Sequence, residues 1–215
     1  APCEDADVVE KESFWNSLTS TCLMLRRRTP SASMWLLIDA NGRVGADDVG
    51  ACGTCEADSI TDNGLRLVTL LNSVGLAAYN TFFNLVNSAE QEQCLQLVRD
   101  RLTPDGLFIV EAFVPSNYSL LPTRGVESRH LANTTVLNIT IRAKVSGIVR
   151  GQRVALGESG AVLRPWKILI KTPDELDQIA ARQNLKLVER WQDWQQSAFT
   201  SSSDHHVSVY ALANS

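Results

Sequence analysis

A carboxylate and an amide lie side by side at the end of an apolar segment. The run Met34–Ile38 is continuously apolar, and Asp39 and Asn41 follow it directly. Such a run predicts a buried strand, and a strand end aims polar side chains at a crevice. Asp39 can act as a proton acceptor and Asn41 as a neutral hydrogen-bond donor, so this strand end is well placed for chemistry. The alternative is a turn in which both side chains bond their own backbone.

Two glycines in the same segment allow a different chemistry. Gly42 and Gly45 follow the predicted strand closely. A strand that leads into glycines lets the backbone approach a bound nucleoside, because no Cβ blocks the contact. Asp62, further along the chain, would then accept hydrogen bonds from ribose hydroxyls. A Cys52-Gly-Thr-Cys55 loop stands where a helix and a second strand would be expected, and this counts against the nucleoside interpretation.

Polar residues also mark two further predicted strands, 76–83 and 107–114. Ligands of open α/β sheets bind at the carboxyl ends of strands. We therefore predict that Tyr79 and Asn80 contact a cofactor and that Glu111 faces a substrate. The alternatives are a core aromatic for Tyr79 and a surface acid for Glu111.

The elements that would position these residues alternate along the chain, which predicts an α/β fold. Apolar residues at helical spacing predict a first helix over residues 7–25, and Thr172-Pro-Asp-Glu is a strong helix start. Residues 116–130 are predicted to be irregular. Period-2 alternation predicts antiparallel strands, each with one solvent-facing side, over 135–145, 148–156 and 161–170. The remaining predictions are helices from residues 62 and 88, and strands over 185–194 and 205–212.

The composition of the 215-residue chain limits its functional classes. Hydrophobic residues make up 44% and charged residues 20%, as in a folded protein. The net charge of −4 gives no global basic field for nucleic acid. No apolar run approaches the ~20 residues that span a bilayer, so we expect no membrane-spanning segment. Five cysteines are an odd number, and no charged-then-apolar leader is present, so we predict reduced thiols and a cytoplasmic location.

The larger part of the chain resembles a class I S-adenosylmethionine-dependent methyltransferase. The resemblance covers about residues 77–213, and it runs through Ala77–Leu85, Leu102–Pro115, Thr172–Asp177 and the two last predicted strands. It implies a Rossmann-like, mostly parallel sheet with an antiparallel C-terminal hairpin and an inserted antiparallel β layer. It also implies S-adenosylmethionine as cofactor and a methyl acceptor that is a small molecule or unknown.

The first part, about residues 12–83, resembles an endonuclease/exonuclease/phosphatase domain of the retroelement type. Asp39 and Asn41 fall on the Asp-x-Asn motif of that family. The resemblance implies that the Asp helps to activate water and that the Asn contacts the scissile phosphate. Ser203-Asp204-His205 matches the Ser-Asp-His with which the family closes, so Asp204 and His205 complete this alternative catalytic set. Mg²⁺ would then be the cofactor and a nucleic acid the partner. The Glu that holds the metal in that family is missing here. Asp47 or Asp48 would have to supply a carboxylate ligand, and the other metal ligands are unknown.

The two resemblances divide the chain into residues 1–83 and 77–215, which we expect to pack as one domain. The first hypothesis is a methyltransferase-like protein with an unknown acceptor, in which the departure from the glycine-rich cofactor loop leaves activity in question. The second is a metal-dependent endonuclease or phosphodiesterase that uses Asp39 and Asn41. The third is a non-catalytic α/β remnant or chimera.

Overall fold

The computed structural model describes most of the chain, and three of its helices have defined bounds. Helix α1 (Val8–Arg28) is capped at its N-terminus by Asp7, whose carboxylate accepts a hydrogen bond from the backbone N–H of Glu10 (2.8 Å). Helices α2 (Ser88–Arg99) and α3 (Pro173–Arg182) follow, with a 3-10 turn over Phe82–Asn84. The described residues are 6–38, 62, 65–67, 69–70, 76–80, 82–115, 123–131, 134–143, 147–158 and 160–213, with backbone alone for 37–38, 76–80 and 131.

The main sheet has five strands, β1 (Met34–Ile38), β2 (Leu76–Asn80), β3 (Leu107–Phe113), β8 (Leu185–Trp191) and β9 (His205–Leu212). They lie in the order β2-β1-β3-β9-β8. Strands β2, β1 and β3 are parallel, whereas β9 is antiparallel to both β3 and β8. Four of these five strands therefore run in one direction, and the predicted C-terminal hairpin is present.

A second, four-stranded antiparallel sheet is inserted between β3 and α3. Its strands are β4 (Arg124–Leu131), β5 (Thr134–Arg142), β6 (Ile148–Gly157) and β7 (Gly160–Leu169), paired in chain order. The prediction of irregular structure over 116–130 was wrong for β4, an edge strand whose charged, exposed residues carry no apolar alternation. We call the side that carries Val149, Trp166 and Ile168, which pack on the core, the inner face of this sheet, and the opposite side its outer face.

Apolar clusters cover both sides of the main sheet. On one side α1 packs against it, with Trp15 and Leu18 beside Leu36 of β1 and Val207 of β9. On the other side, α2 and α3 contribute Leu95, Leu176 and Ile179 to a cluster with Phe108 and Tyr210. The first cluster joins residues of both resemblance segments, because Trp15 and Leu36 contact the same core as Val207.

Local polar contacts fix the helices to this frame. Thr172 forms the capping box of α3, since its hydroxyl accepts from the N–H of Glu175 while the Glu175 carboxylate accepts from the N–H of Thr172. Helix α2 is instead capped by Asn87, whose side chain accepts from the N–H of Ala89 (2.9 Å), although Ser88-Ala-Glu-Gln91 has the spacing of a capping box. Gln91, the last residue of that sequence, is fully buried.

The cysteines that the structure describes are buried or half-buried free thiols. Cys22 is buried in the α1 cluster, and burial raises its pKa to about 12. Cys94 on α2 is half-buried, and burial raises its pKa too. Neither thiol is primed as a nucleophile; the Cys52–Cys55 pair lies outside the described residues. Among the described helices, none combines the length and the apolar character that crossing a bilayer requires.

Candidate functional site

The three parallel strands end at one edge of the main sheet, where β9 begins. Ile38 and Asn80, the last residues of β1 and β2, are register partners. At the end of β3, Phe113 is paired with His205, the first residue of β9. We call this region, defined by these four residues, the carboxyl edge. Open α/β sheets bind ligands at such edges.

Several residues that the sequence singled out lie at or near the carboxyl edge. Tyr79 and Asn80 are the last two residues of β2. Glu111 lies within β3, opposite Val207, and is therefore on the side of the sheet that α1 covers. The structure thus brings Asn80, Glu111 and His205 to one end of the sheet. Asp39, Asn41, Gly42 and Gly45 follow β1 in sequence, and they lie outside the described residues together with Asp47 and Asp48.

The Ser203-Asp204-His205 triplet joins the β8–β9 loop to the sheet. The Ser203 hydroxyl is buried; it donates to Oε1 of Gln192 and accepts from the N–H of Thr200, both at 2.9 Å. The carbonyl of Asp204 accepts a hydrogen bond from the N–H of Val114 (2.7 Å). The side chains of Asp204 and His205 are exposed. Within the described part of the chain, no group of three or more His, Cys, Asp or Glu side chains is placed to hold a metal ion.

A buried polar network, which sequence reasoning missed, runs along β9 toward the carboxyl edge. Arg190 on β8 donates from Nη1 and Nη2 to the two carboxylate oxygens of Asp177 on α3, at 3.1 and 2.6 Å. The Tyr210 hydroxyl donates to Oδ1 of Asp177 (2.7 Å) and accepts from Arg190 (3.3 Å). Burial, together with the hydrogen bond to Asp177, raises the pKa of Tyr210 far above its usual value, so the phenol stays protonated.

The network continues from Arg190 to His206 through Ser208. Nε of Arg190 donates to the Ser208 hydroxyl (2.8 Å), which lies 2.7 Å from Nδ1 of His206. Because Arg190 only donates, Ser208 accepts from it, and the Ser208 hydroxyl is free to donate to Nδ1 of His206. In that tautomer the ring proton of His206 lies on Nε2, whereas a proton on Nδ1 makes Nε2 an acceptor. We refer to Asp177, Arg190, His206, Ser208 and Tyr210 as the polar network.

His206 ends the polar network one residue inside the carboxyl edge. It is opposite Ala112, next to the Phe113–His205 pair. Burial, reinforced by the positive charge of Arg190, lowers the pKa of His206 to about 4, so the imidazole is neutral near pH 7. Its Nε2 is buried and has no hydrogen-bond partner among the described residues. An unpaired buried ring nitrogen is costly, so a ligand or water that forms a hydrogen bond with it would be stabilised here.

An aromatic side chain covers the network. The Phe199 ring packs edge-on against His206, with centroids 6.3 Å apart, and Arg190 lies 5.5 Å over the same ring. The guanidinium is thus held by a carboxylate, two hydroxyls and an aromatic face. Burial alone would lower the pKa of Arg190, but the hydrogen bond to Asp177 and the nearby Tyr210 raise it. The network fixes the orientation of His206.

The chain is similar over almost its whole length to solved methyltransferase structures. The CcbJ methyltransferase from Streptomyces caelestis gives a TM-score of 0.68 at 20% identity, covering 92% of this chain and 90% of that one. A S-adenosylmethionine-dependent methyltransferase from Clostridium acetobutylicum gives 0.66 at 7% identity, covering 95% and 94%. This chain has the fold of S-adenosylmethionine-dependent methyltransferases. CalS10, an amino pentose methyltransferase from Micromonospora echinaspora, is a more distant neighbour, with a TM-score of 0.51 at 12% identity, covering 95% and 97%.

The methyltransferase-like fold takes in the N-terminal segment as well. A match that covers 92% of the chain must include most of residues 12–83, and β1 is hydrogen-bonded between β2 and β3 of the same sheet. The endonuclease/exonuclease/phosphatase resemblance of that segment therefore gains no support, and neither does Mg²⁺ as a cofactor. No protein-family model and no curated sequence matches the chain.

Proposed function

We propose that this protein transfers a methyl group from S-adenosylmethionine to a small-molecule acceptor. One observation carries the proposal: the methyltransferase fold extends over more than nine-tenths of the chain, and its strand ends converge with the start of β9 at the carboxyl edge. Two neighbours, CalS10 and the sugar N-methyltransferase KedS8 from Streptoalloteichus, are named for sugar acceptors, which favours a small polar acceptor.

The residues proposed to hold the cofactor belong to the ends of β1 and β2. Tyr79 and Asn80 end β2 beside β1, and the glycines Gly42 and Gly45 follow β1 in sequence. The carboxyl edge fits a nucleoside cofactor because parallel strand ends converge there. When bound, S-adenosylmethionine supplies an electrophilic methyl group, whose transfer needs in-line positioning more than acid–base help.

We assign positioning roles to Glu111 and His206, which lie on opposite faces of the sheet, Glu111 on the side that α1 covers and His206 on the side of Tyr210. The carboxylate of Glu111 would hold a cationic or hydroxyl group of the acceptor near the end of β3. His206 would donate from Nε2 to an acceptor oxygen, and its low pKa keeps the imidazole in the neutral form at pH 7. Phe199 and the polar network would keep the imidazole in one orientation, so no reorganisation is needed when a ligand binds.

Cofactor binding is the direct test of this proposal. Isothermal titration with S-adenosylhomocysteine should give one saturable site, and the ligand should raise the unfolding midpoint by about 5–10 °C at about a hundredfold excess over Kd. The variant Asn80→Ala should weaken binding, whereas Gln93→Ala, an exposed change on α2, should not. Equal affinity in both variants would remove Asn80 from the site, and absence of binding to the wild type would refute the proposed function.

Turnover distinguishes an active enzyme from a non-catalytic remnant. Formation of S-adenosylhomocysteine should depend on an added amino-sugar or hydroxylated acceptor. Binding without turnover across such acceptors would favour the remnant, in which the departure from a glycine-rich loop has removed activity. A parallel assay with Mg²⁺ and DNA should show no cleavage, and cleavage that Asp39→Ala abolishes would restore the phosphodiesterase hypothesis.

We also propose that residues 1–83 and 77–215 form one domain. Trp15 and Leu36 from the first segment share an apolar cluster with Ile109 and Val207 from the second. Because the shared core is continuous, chemical denaturation should give one cooperative transition in far-UV circular dichroism and in tryptophan fluorescence. Two separate transitions would contradict a single domain.

A further inference from the structure

The inserted antiparallel sheet is strongly basic, although the whole chain has a net charge of −4. Strands β4–β7 carry seven Arg and Lys residues against one Glu, a net charge of +6. Five of these cations take part in no ion pair within the described part of the chain. These five are Arg124, Arg150, Arg153, Arg164 and Lys167. A concentration of unpaired cations on one layer of an acidic protein calls for an anionic partner.

A groove on the outer face of this sheet concentrates part of that charge. Its volume is about 480 Å³, within the range of small-molecule sites. Ile139, Ile141 and Pro165 form apolar walls, and Arg150, Gln152 and Lys167 supply the polar groups. Ile139 pairs with Gln152 and Ile141 with Arg150. Gln152 and Arg150 pair in turn with Pro165 and Lys167 of β7. Paired residues point to the same face of a sheet, so all six side chains lie on the outer face.

The two cations of the groove are placed directly opposite each other. Arg150 and Lys167 are register partners on β6 and β7, and both side chains are exposed. Like charges directly opposite on a sheet repel each other, since their Cβ atoms lie about 4.5–5.5 Å apart. Arg124 lies in the same row across the sheet, through its pairing with Ile141. The row contains no acid, so among the described residues of this row no charge offsets the repulsion.

The same groove contains an amide donor without a partner. Nε2 of Gln152 is buried and makes no hydrogen bond to any described residue. Gln152 lies two residues along β6 from Arg150, on the same face. A guanidinium, an ammonium and an amide therefore border one cavity. Together they offer the donors that an oxyanion accepts.

We propose that this outer groove binds an anionic small molecule, outside the carboxyl edge. Its phosphate or carboxylate lies between Arg150 and Lys167 and accepts from Gln152, and an attached apolar part rests on Ile139 and Ile141. A second copy of the chain fits less well, because face-to-face packing would bring one cationic sheet against another. The site is independent of the proposed methyl transfer, since it lies on the face turned away from the core.

Titration with two simple aromatic anions tests the site. Phenyl phosphate and benzoate share an apolar ring and differ in the oxyanion, so the tighter one identifies the charged group; inorganic phosphate measures the contribution of the ring. Each is titrated calorimetrically into the full chain at low ionic strength. We expect saturable binding of one aromatic anion that weakens as salt is added. The double variant Arg150→Gln/Lys167→Gln should weaken that binding at least about tenfold.

A matched variant on the opposite face controls for net charge. Arg153 and Arg164 are also register partners, but on the inner face, and both are exposed. Arg153→Gln/Arg164→Gln removes the same charge from the same strands and should leave Kd within about twofold. Equal losses in the two double variants, or no saturable binding of either aromatic anion to the wild type, would overturn the proposal. S-adenosylhomocysteine binding, measured in the same samples, should be unchanged in both, so the two proposals fail separately.

Sedimentation velocity tests the competing occupant. Leu163→Asp, a change on the exposed outer face, should convert to monomer any dimer that forms through this face. We expect the wild type to show no such dimer. A dimer lost in that variant, together with anion binding only in the monomer, would show that a second copy covers the groove and would refute the small-molecule site.

Discussion

Arg190 on β8 and Asp177 on α3 form a two-point ion pair, with one terminal nitrogen of the guanidinium on each carboxylate oxygen, at 3.1 and 2.6 Å. The contact joins the C-terminal helix to the hairpin, and it ends a chain of hydrogen bonds that reaches His206. Arg190 retains only 10% of its side-chain exposure, whereas Asp177 keeps 32%. The more buried Arg190 cation therefore depends more strongly on the ion pair than the partly exposed Asp177 carboxylate does.

Asp177→Asn should destabilise the protein strongly. The variant leaves the buried guanidinium of Arg190 without a counter-charge, and the amide nitrogen that replaces one carboxylate oxygen can no longer accept from it. We expect a loss of about 2–3 kcal/mol in the free energy of unfolding, below the full range for a buried pair because Asp177 is partly exposed. Urea denaturation at pH 7 measures it. Asp174→Asn, an exposed change in the first turn of the same helix, should lose less than about 1 kcal/mol.

His206 should make the folded state less stable as the pH falls. Its folded-state pKa is about 4 and its ordinary value is 6.5, so below pH 6.5 the unfolded state binds a proton that the folded state excludes. The charged groups around it, Arg190, Asp177 and His205, are included in that value. Stability is fully present above pH 6.5 and declines toward pH 4. Between pH 7.5 and pH 5 this group alone should remove about 2 kcal/mol.

Two glutamine variants separate this effect from the other titrations. Denaturation midpoints of His206→Gln should lose the part of the pH slope that the wild type shows between pH 6.5 and pH 5. His205→Gln changes the exposed neighbour and should keep the wild-type slope. If both variants retain that slope, the buried imidazole is not its source.

Strong local signals in the sequence predicted the elements that position the site. The apolar run 34–38 is β1, and the Thr172 start is the capping box of α3. Such signals are local because a cap or a short buried run involves neighbours in the chain. At the start of α2 the sequence offered two local caps, at Asn87 and at Ser88. Asn87 caps the helix, and Gln91 instead donates to the carbonyl of Leu169, which is distant in the chain.

The polar network left no local signal because its partners are far apart in the chain. Asp177, Arg190 and Tyr210 come from a helix and two strands, and no spacing rule connects them. The alternation of His206, Ser208 and Tyr210 with valines is typical of a strand with one solvent-facing side. In the structure β9 lies between β3 and β8, and these three residues are buried. Only tertiary contacts could reveal that the polar side is covered.

Gln91→Leu should loosen the attachment of the inserted sheet. The amide of Gln91 donates to the carbonyls of Leu85 (3.1 Å) and Leu169 (3.0 Å), which connects α2 to the end of β7. The leucine leaves those carbonyls without their donor, and we expect a loss of about 2–3 kcal/mol in unfolding free energy. Hydrogen exchange should show faster exchange at the end of β7. Gln93→Leu on the exposed side of α2 is the control, and equal losses in the two variants would contradict the bridging role.

Gly151→Ala should distort the sheet that carries the outer groove. A Cβ at residue 151 would lie 2.3 Å from the carbonyl oxygen of Ile139 and 2.4 Å from the ring of Trp166. The carbonyl is backbone in the paired strand and cannot move aside alone, so we expect a loss of about 2–3 kcal/mol, near the upper range for overpacking. Gly125→Ala in β4 has nothing within 4 Å of the added methyl and should change stability by less than about 0.5 kcal/mol. Urea denaturation of the two variants in parallel measures the difference. Equal stability would mean that β5 and β7 yield to the methyl group, and the close packing of Trp166 on Gly151 would then not hold the groove in shape.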